Sequence, residues 1–252
     1  MTHTLIYPAG ITDSCICAAE NLRKLGFSIT DHPEPEITHL LLDVPSFRPD
    51  GFLRDGKDPE KLLSMLPQGV AVAGGNLNHP LLENQSKMDF LKDSLYLARN
   101  AAITADCALK IAAPMLKTAL PDTRTLILGW GRIGKCLAQM LKAIGTPVTV
   151  AARKETDRAL LLALGFDAIA FQDILSLQNQ YGLLFNTVPA PVLSKEDIAT
   201  FNHCVMIDLA SSPGIAGSDV ICARGLPGIY APVSAGKLIA DSFYRLWKED
   251  HK

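Results

Sequence analysis

Three glycines, Gly129, Gly131 and Gly134, stand at a fixed spacing where a short apolar stretch gives way to an amphipathic one. A G-x-G-x-x-G run after a strand and opening a helix suits a dinucleotide. The first glycine permits the tight turn, the second lets backbone approach a pyrophosphate, and the third lets helix and strand pack closely. The helix then turns free N–H groups and a positive dipole end toward the phosphates. The whole run Gly129-Trp130-Gly131-Arg132-Ile133-Gly134 is therefore assigned to the cofactor. Glycines alone carry little weight, and the context supplies it: 125–128 reads as strand, 133–144 as helix, and further α/β elements follow. The alternative is a plain tight turn in a sheet that binds nothing.

The residue that meets the adenine ribose belongs at the end of the next strand, roughly twenty residues on. That slot holds Arg153, followed by Lys154. A carboxylate there would accept from both ribose hydroxyls, whereas a guanidinium pairs with a 2′-phosphate, so NADP is favoured over NAD. A solvated arginine beside Glu155 and Asp157 is the competing reading.

Three later loops fall where open α/β sheets bind ligands, beyond the carboxyl ends of their strands. They are Asn186-Thr187-Val188-Pro189, the run Asp208-Leu209-Ala210-Ser211-Ser212-Pro213-Gly214, and 225–232, which contains Pro227. Their short, small residues suit a flat nicotinamide ring and a small substrate, or else only turn chemistry. Asn186, Thr187, Val188, Pro189, Asp208, Leu209, Ala210 and Pro227 are accordingly assigned to the cofactor side.

These loops need a scaffold, and the rest of the chain reads as one. Strand-like and helix-like segments alternate, which predicts α/β architecture with parallel sheets, as two Rossmann-like or flavodoxin-like domains joined by long helices. In the first part, strands are expected at 4–7, 28–30, 39–44 and 70–73, with helices at 14–25 and 58–66. The composition from 87 to 120 is helical, interrupted only by Pro114, and forms a connector. Alternation then resumes with strands at 125–128, 148–152, 183–186, 205–209 and 228–230, and helices at 133–144, 155–164 and 195–201. Ser194 and Asp197 have capping-box spacing. An amphipathic segment at 234–247 crosses back onto the first domain. The expected domains are 1–97, carrying substrate and catalysis, and 98–252, binding NAD(P).

Composition narrows the function. Lys+Arg 24 against Asp+Glu 26 gives a net charge of -2, so no positive field collects nucleic acid or anionic lipid. The opening residues lack a signal peptide, and no stretch has the apolar length of a bilayer span. The six cysteines (Cys15, Cys17, Cys107, Cys136, Cys204, Cys222) show no zinc spacing, and a reducing cytoplasm is the simplest setting. Cys15 and Cys17, two apart on a helix, suit a core role. His3, His32, His39 and His79 fall in the first part, and His79 sits near Asn76 in a glycine-rich loop.

Together these residues resemble the A subunit of dipicolinate synthase, the NADP-dependent enzyme of spore-forming bacteria. The matching runs are 128–134, Ala152-Arg153, 186–189, 208–214 and 225–229, with Ala231-Pro232 and Ala235-Gly236. The likeness extends from Asn100 onward, while the N-terminal part matches poorly and reads as shorter. Its opening Tyr7-Pro8-Ala9-Gly10 differs from the family's glycine-rich start. The resemblance implies oxidation of a cyclic dihydrodipicolinate, formed from a hydroxytetrahydro precursor, to the aromatic pyridine dicarboxylate. Aromatisation supplies driving force, so positioning a planar dianion should matter more than acid–base work. Residues suited to its two carboxylates are Asn100, Thr104, Ser211, Ser212, Ser234, Ser46 and Asn76, with Arg99 as a charge partner; no catalytic base is assigned. Also expected are a cytoplasmic location, a homo-oligomer, no metal, and a flavoprotein-like second subunit.

Two other classes compete. A D-2-hydroxyacid dehydrogenase has the same two-domain plan but relies on a carboxylate-clamping arginine and a late histidine. This chain has Ser211-Ser212 and Val233-Ser234 at those places and no histidine from 204 to 250. A non-catalytic NADP-binding sensor would keep the glycines and Arg153 and lose turnover.

Overall fold

A computed structural model describes residues 4–251. His3 and the outermost ends of the two expected domains lie outside them. The chain runs β1 (Leu5–Pro8), α1 (Asp13–Lys24), β2 (Ser28–Ile29), β3 (His39–Leu41), α2 (Pro59–Ser64), β4 (Ala71–Gly74), β5 (Lys87–Asp89) and α3 (Ser94–Ala112). It continues through β6 (Thr125–Leu128), α4 (Arg132–Ile144), β7 (Val148–Ala151), α5 (Glu155–Ala163), β8 (Asp167–Ile169), β9 (Leu183–Asn186) and α6 (Lys195–Ile198). The last elements are β10 (Val205–Asp208), β11 (Val220–Cys222), α7 (Leu226–Tyr230) and α8 (Pro232–Asp250). Two compact units result: Met1–Asn100 with Pro227–Lys252, and Ala101–Leu226.

In the first unit an all-parallel sheet has the order β2-β1-β3-β4-β5, the doubly wound flavodoxin-like arrangement. Its core includes Leu40, Leu42, Val72, Leu77 and Leu82, all buried. Helix α1 starts because Thr12 accepts the Cys15 N–H at 3.3 Å, with Asp13 in the first turn and Arg23 and Lys24 in the last to suit the helix dipole. It packs against α8 at a distance that only a glycine permits. A Cβ on Gly236 would lie 2.5 Å from Cys17 Cβ and 2.6 Å from the Ser14 carbonyl oxygen. Further along, Phe27 meets Phe243 and Trp247 edge-on at 5.5 and 5.2 Å, and Arg245 pairs with Asp93.

In the second unit the order is β11-β10-β9-β6-β7-β8, again all parallel, which is the Rossmann order. Strands β6, β7 and β9 are buried at every position, as a sheet covered on both faces requires. Leu126, Leu128, Ile174, Leu184, Met206 and Ile215 form much of one core layer.

Four sequence expectations need correction. The first unit has five strands rather than about four, because the stretch from 87 opens with β5 and a short 3-10 turn, Phe90–Lys92, before α3 begins. Asp89 holds that corner, accepting the N–H groups of Asn76, Leu77 and Leu91 at 3.0, 3.0 and 3.1 Å. The segment at 228–230 belongs to helix α7, not a strand, and Pro227 suits its first turn. The edge strands β8 and β11 were both unexpected. Finally, α3 stops at Ala112 and 3-10 turns follow, Ala113–Met115 and Leu120–Asp122. The expected capping box is present, with Ser194 and Asp197 each accepting the other's backbone N–H.

Candidate dinucleotide site

The switch point of the second unit lies between β6 and β9, and the three glycines sit there. Gly129 leaves β6 at φ +100, a left-handed conformation that suits glycine, while its N–H stays bonded to the Ala151 carbonyl at 2.9 Å. A Cβ on Gly134 would stand 2.3 Å from the Gly129 carbonyl oxygen, so the third glycine is needed for the turn to close on the helix. Gly131 differs from both: nothing lies within 4 Å of where its Cβ would be. Packing does not exclude a side chain there, so the space above Gly131 can receive an incoming group. Gly131 is also the N-cap of α4, with no side-chain cap and no acidic residue in the first turn. The first N–H groups of α4 thus carry an unneutralised partial positive charge toward that space. This cradle fits a pyrophosphate. Arg132 opens α4 and is exposed, and Ile133 is half-buried. Trp130 packs its ring against Phe166 at 6.0 Å with Lys135 Nζ 5.7 Å from its centroid, and its buried indole N–H has no acceptor.

The loop after β9 braces the turn. Thr187 donates both its N–H and its hydroxyl to the Leu128 carbonyl, at 3.0 and 2.9 Å. Asn186 and Asp208 are buried and joined to each other at 2.9 Å. Asn186 accepts the Val188 N–H at 3.0 Å and donates to the Val188 carbonyl at 3.1 Å. Asp208 accepts the N–H of Ala210 at 3.0 Å on one oxygen and those of Gly214 and Ile215 at 2.7 and 3.2 Å on the other. These two side chains are spent inside the unit, and what they offer a ligand is the loop backbone they fix. Val188 and Pro189 are half-buried or exposed, Leu209 and Ala210 buried. Pro227 lies in α7 of the first unit.

At the end of β7, Arg153 and Lys154 are both exposed. Among the described residues neither side chain is engaged in a hydrogen bond or ion pair, so Glu155 and Asp157 do not neutralise Arg153. Sequence reasoning missed two arginines that act on these loops. Arg158 Nη1 donates to the carbonyls of Ala152 and Arg153, each at 2.9 Å, and Arg224 Nε donates to the Ala210 carbonyl at 3.1 Å. The only hint of the first is a second arginine one helical turn beyond Arg153.

The residues expected to meet a substrate divide between the units. Thr104, Ser211 and Ser212 are in the second, the two serines exposed and Thr104 buried; Ser46, Asn76, Arg99, Asn100 and Ser234 are in the first. The Ser46 hydroxyl is buried, donates to the Asp43 carbonyl at 2.8 Å and accepts the Gly75 N–H at 3.1 Å, so its hydrogen is already committed. Asn76 is exposed at φ 57, and Ser234 is exposed on the first turn of α8. At the first unit's own switch point, Asp43 accepts the N–H groups of Ile11 and Thr12 at 3.0 and 3.1 Å, filling with a protein carboxylate the place where an anion would bind. His79 stacks on Phe47 at 4.5 Å, and its Nδ1 accepts the Leu81 N–H at 3.3 Å. Burial and the Asp43 carboxylate push the Cys15 thiol up to about 12, which keeps it protonated and inert. No group of three metal-ligating side chains occurs among the described residues, and no described helix is long and apolar enough to cross a membrane.

No protein-family model matches the chain. Among curated proteins it is 24% identical to the dipicolinate synthase A subunit of Bacillus subtilis (strain 168), over 88% of this chain and 82% of the relative. The crystal structure of the corresponding protein from Bacillus halodurans superposes with a TM-score of 0.83 at 20% identity, over 98% of this chain and 99% of that one. The chain is similar to the A subunit of dipicolinate synthase. Both alignments cover more of the chain than the stretch from Asn100 onward, and so include residues of the N-terminal part. A transhydrogenase from Sinorhizobium meliloti shares the fold more distantly, with a TM-score of 0.70 at 14% identity over 98% of this chain and 94% of that one. The architecture of two parallel α/β units is thus shared with these structures.

Proposed function

We propose that this chain is an NADP-dependent oxidoreductase that converts dihydrodipicolinate to dipicolinate, the reaction implied by its likeness to the A subunit of dipicolinate synthase. The observation that carries the cofactor choice is the exposed Arg153 guanidinium at the end of β7, without a carboxylate partner among the described residues. A 2′-phosphate is the anion that such a position selects.

The oxidised nicotinamide, when bound, supplies the hydride acceptor: one ring C–H leaves as hydride, a second ring hydrogen leaves as a proton, and the product ring becomes aromatic. The residues of this chain bind and orient. The turn at Gly129, Gly131 and Gly134 and the first turn of α4 receive the pyrophosphate. Arg153, with Lys154 beside it, receives the 2′-phosphate. Thr187 keeps the Asn186–Pro189 loop against the glycine turn, and Asp208 shapes the loop that carries Ser211 and Ser212. Those serines, both exposed on the second unit, are the hydroxyls it offers to a substrate carboxylate. Because aromatisation drives the step, no strong protein base is required. A cytoplasmic setting, self-association, and a flavoprotein-like second subunit complete the reading.

The test is direct. Purified protein given NADP and the dihydrodipicolinate mixture should accumulate reduced cofactor at 340 nm, together with the ultraviolet band of the pyridine dicarboxylate. Absence of turnover with or without a flavoprotein-like partner, while NADP still binds, would favour a sensor over an enzyme.

A further inference from the structure

We propose that Arg158 is the positioning residue that makes the end of β7 selective for a 2′-phosphorylated nucleotide. This rests on the NADP reading above. Arg153 follows a strand and precedes a helix, and a turn of that kind, with two exposed basic side chains in succession, has no reason by itself to hold one direction. Lys154 is the N-cap of α5 and makes no side-chain cap; its carbonyl accepts the Asp157 and Arg158 N–H groups at 3.1 and 3.2 Å, but that leaves the carbonyls of Ala152 and Arg153 for a side chain to hold. Arg158 holds them. Its Nη1 places one N–H on the Ala152 carbonyl and the other on the Arg153 carbonyl, both at 2.9 Å. The Ala152 N–H, one peptide unit earlier, is bonded to the Ile169 carbonyl at 3.0 Å, so the chain at Arg153 is tied to the end of β8 through Ala152 and to α5 through Arg158. The backbone from which the Arg153 guanidinium projects is therefore set by the side chain five residues on.

A second consequence follows from the donor count. A guanidinium has five N–H groups. The two on Nη1 are committed to carbonyls, and those on Nε and Nη2 are not engaged by any described hydrogen bond. Half-buried and permanently charged, Arg158 adds a fixed positive charge behind Arg153, where a 2′-phosphate gains from it and a 2′-hydroxyl does not. A residue that only stabilised the fold would affect both nucleotides alike.

The experiment measures binding by titration calorimetry for two ligand pairs, NADP against NAD and 2′,5′-ADP against 5′-AMP, on wild type, Arg158→Met and Arg158→Lys. In wild type, NADP and 2′,5′-ADP bind more tightly than their unphosphorylated counterparts. Arg158→Met is expected to shrink both preferences by about tenfold, equivalent to about 1.4 kcal/mol. Arg158→Lys keeps the charge and one carbonyl bond and should recover part of each ratio. A parallel loss for both members of each pair assigns Arg158 a structural role only and overturns the proposal, as does an unchanged ratio. A wild type without any preference for the phosphorylated ligands overturns the NADP reading itself, an outcome distinct from an Arg158 failure. The affinity for NAD, measured on the same samples, reports whether each variant is folded.

Discussion

Replacing Asp208 with Asn changes one atom and should unfasten a loop. The carboxylate has two oxygens, each facing two donors: the Asn186 amide and the Ala210 N–H on one side, the Gly214 and Ile215 N–H groups on the other. In either orientation an asparagine amide turns its NH2 toward two N–H donors, so two hydrogen bonds are lost and donors face donors. The neighbour cannot compensate by flipping. Asn186 already uses its own oxygen for the Val188 N–H and its nitrogen for the Val188 carbonyl. With hydrogen bonds to a charged group worth about 1.5–3 kcal/mol each, the loss comes to roughly 3–6 kcal/mol. That is a large share of the roughly 5–15 kcal/mol that holds a domain folded. A two-unit chain does not unfold in a single transition, so hydrogen exchange followed by mass spectrometry is the local assay. Peptides spanning 208–216 should exchange at least about a hundred times faster in Asp208→Asn, with the second unit melting earlier. Wild-type exchange at Ala210, Gly214 and Ile215 would refute the reasoning.

Three further outcomes are expected. Arg153→Ser should weaken NADP by about ten- to a hundredfold while leaving NAD within a few-fold, measured as paired Michaelis or dissociation constants; equal losses would refute the phosphate assignment. Gly131→Ala and Gly134→Ala make a matched pair. The first adds a methyl to open space and should lower nucleotide affinity at unchanged melting temperature, whereas the second drives a Cβ to 2.3 Å from the Gly129 carbonyl and should destabilise the second unit by about 1–3 kcal/mol. His39 is buried edge-on to Phe243 at 5.4 Å, and burial first, then His251, lowers its pKa to about 4, against about 6.5 when unfolded. Between those values the unfolded chain binds the extra proton, so stability of the first unit rises with pH across that window and falls on acidification. Urea unfolding followed by Trp247 fluorescence in a Trp130→Phe background should show that slope, and His39→Gln should flatten it.

Much of this was legible in the residues. Apolar runs such as Thr125–Leu128 and Leu183–Asn186 are unambiguous because strands covered on both faces must be continuously hydrophobic. The glycine turn was readable because each glycine answers a different geometric demand. What escaped was held by tertiary contacts. Lys87-Met88-Asp89 has no strand signature of its own and pairs because β4 offers it an edge. Val220-Ile221-Cys222 is hidden between turn-rich segments, and Leu226–Tyr230 carries a proline and a glycine that argue against helix until the fold places the proline in its first turn. In the site, Arg153 was visible from its place after a strand. The commitment of Asn186, Asp208 and Ser46 to internal bonds was not, since residue type does not say whether a polar group is spent at home.

The first unit is assembled from both ends of the polypeptide, with α8 laid on α1 through Gly236. During synthesis the ribosome releases α1 long before its covering helix exists, so the Rossmann unit can finish while its neighbour still waits with a bare apolar stripe. A break before residue 227, whether from a premature stop codon or a protease, would therefore leave a finished Rossmann unit and an unclosed first unit.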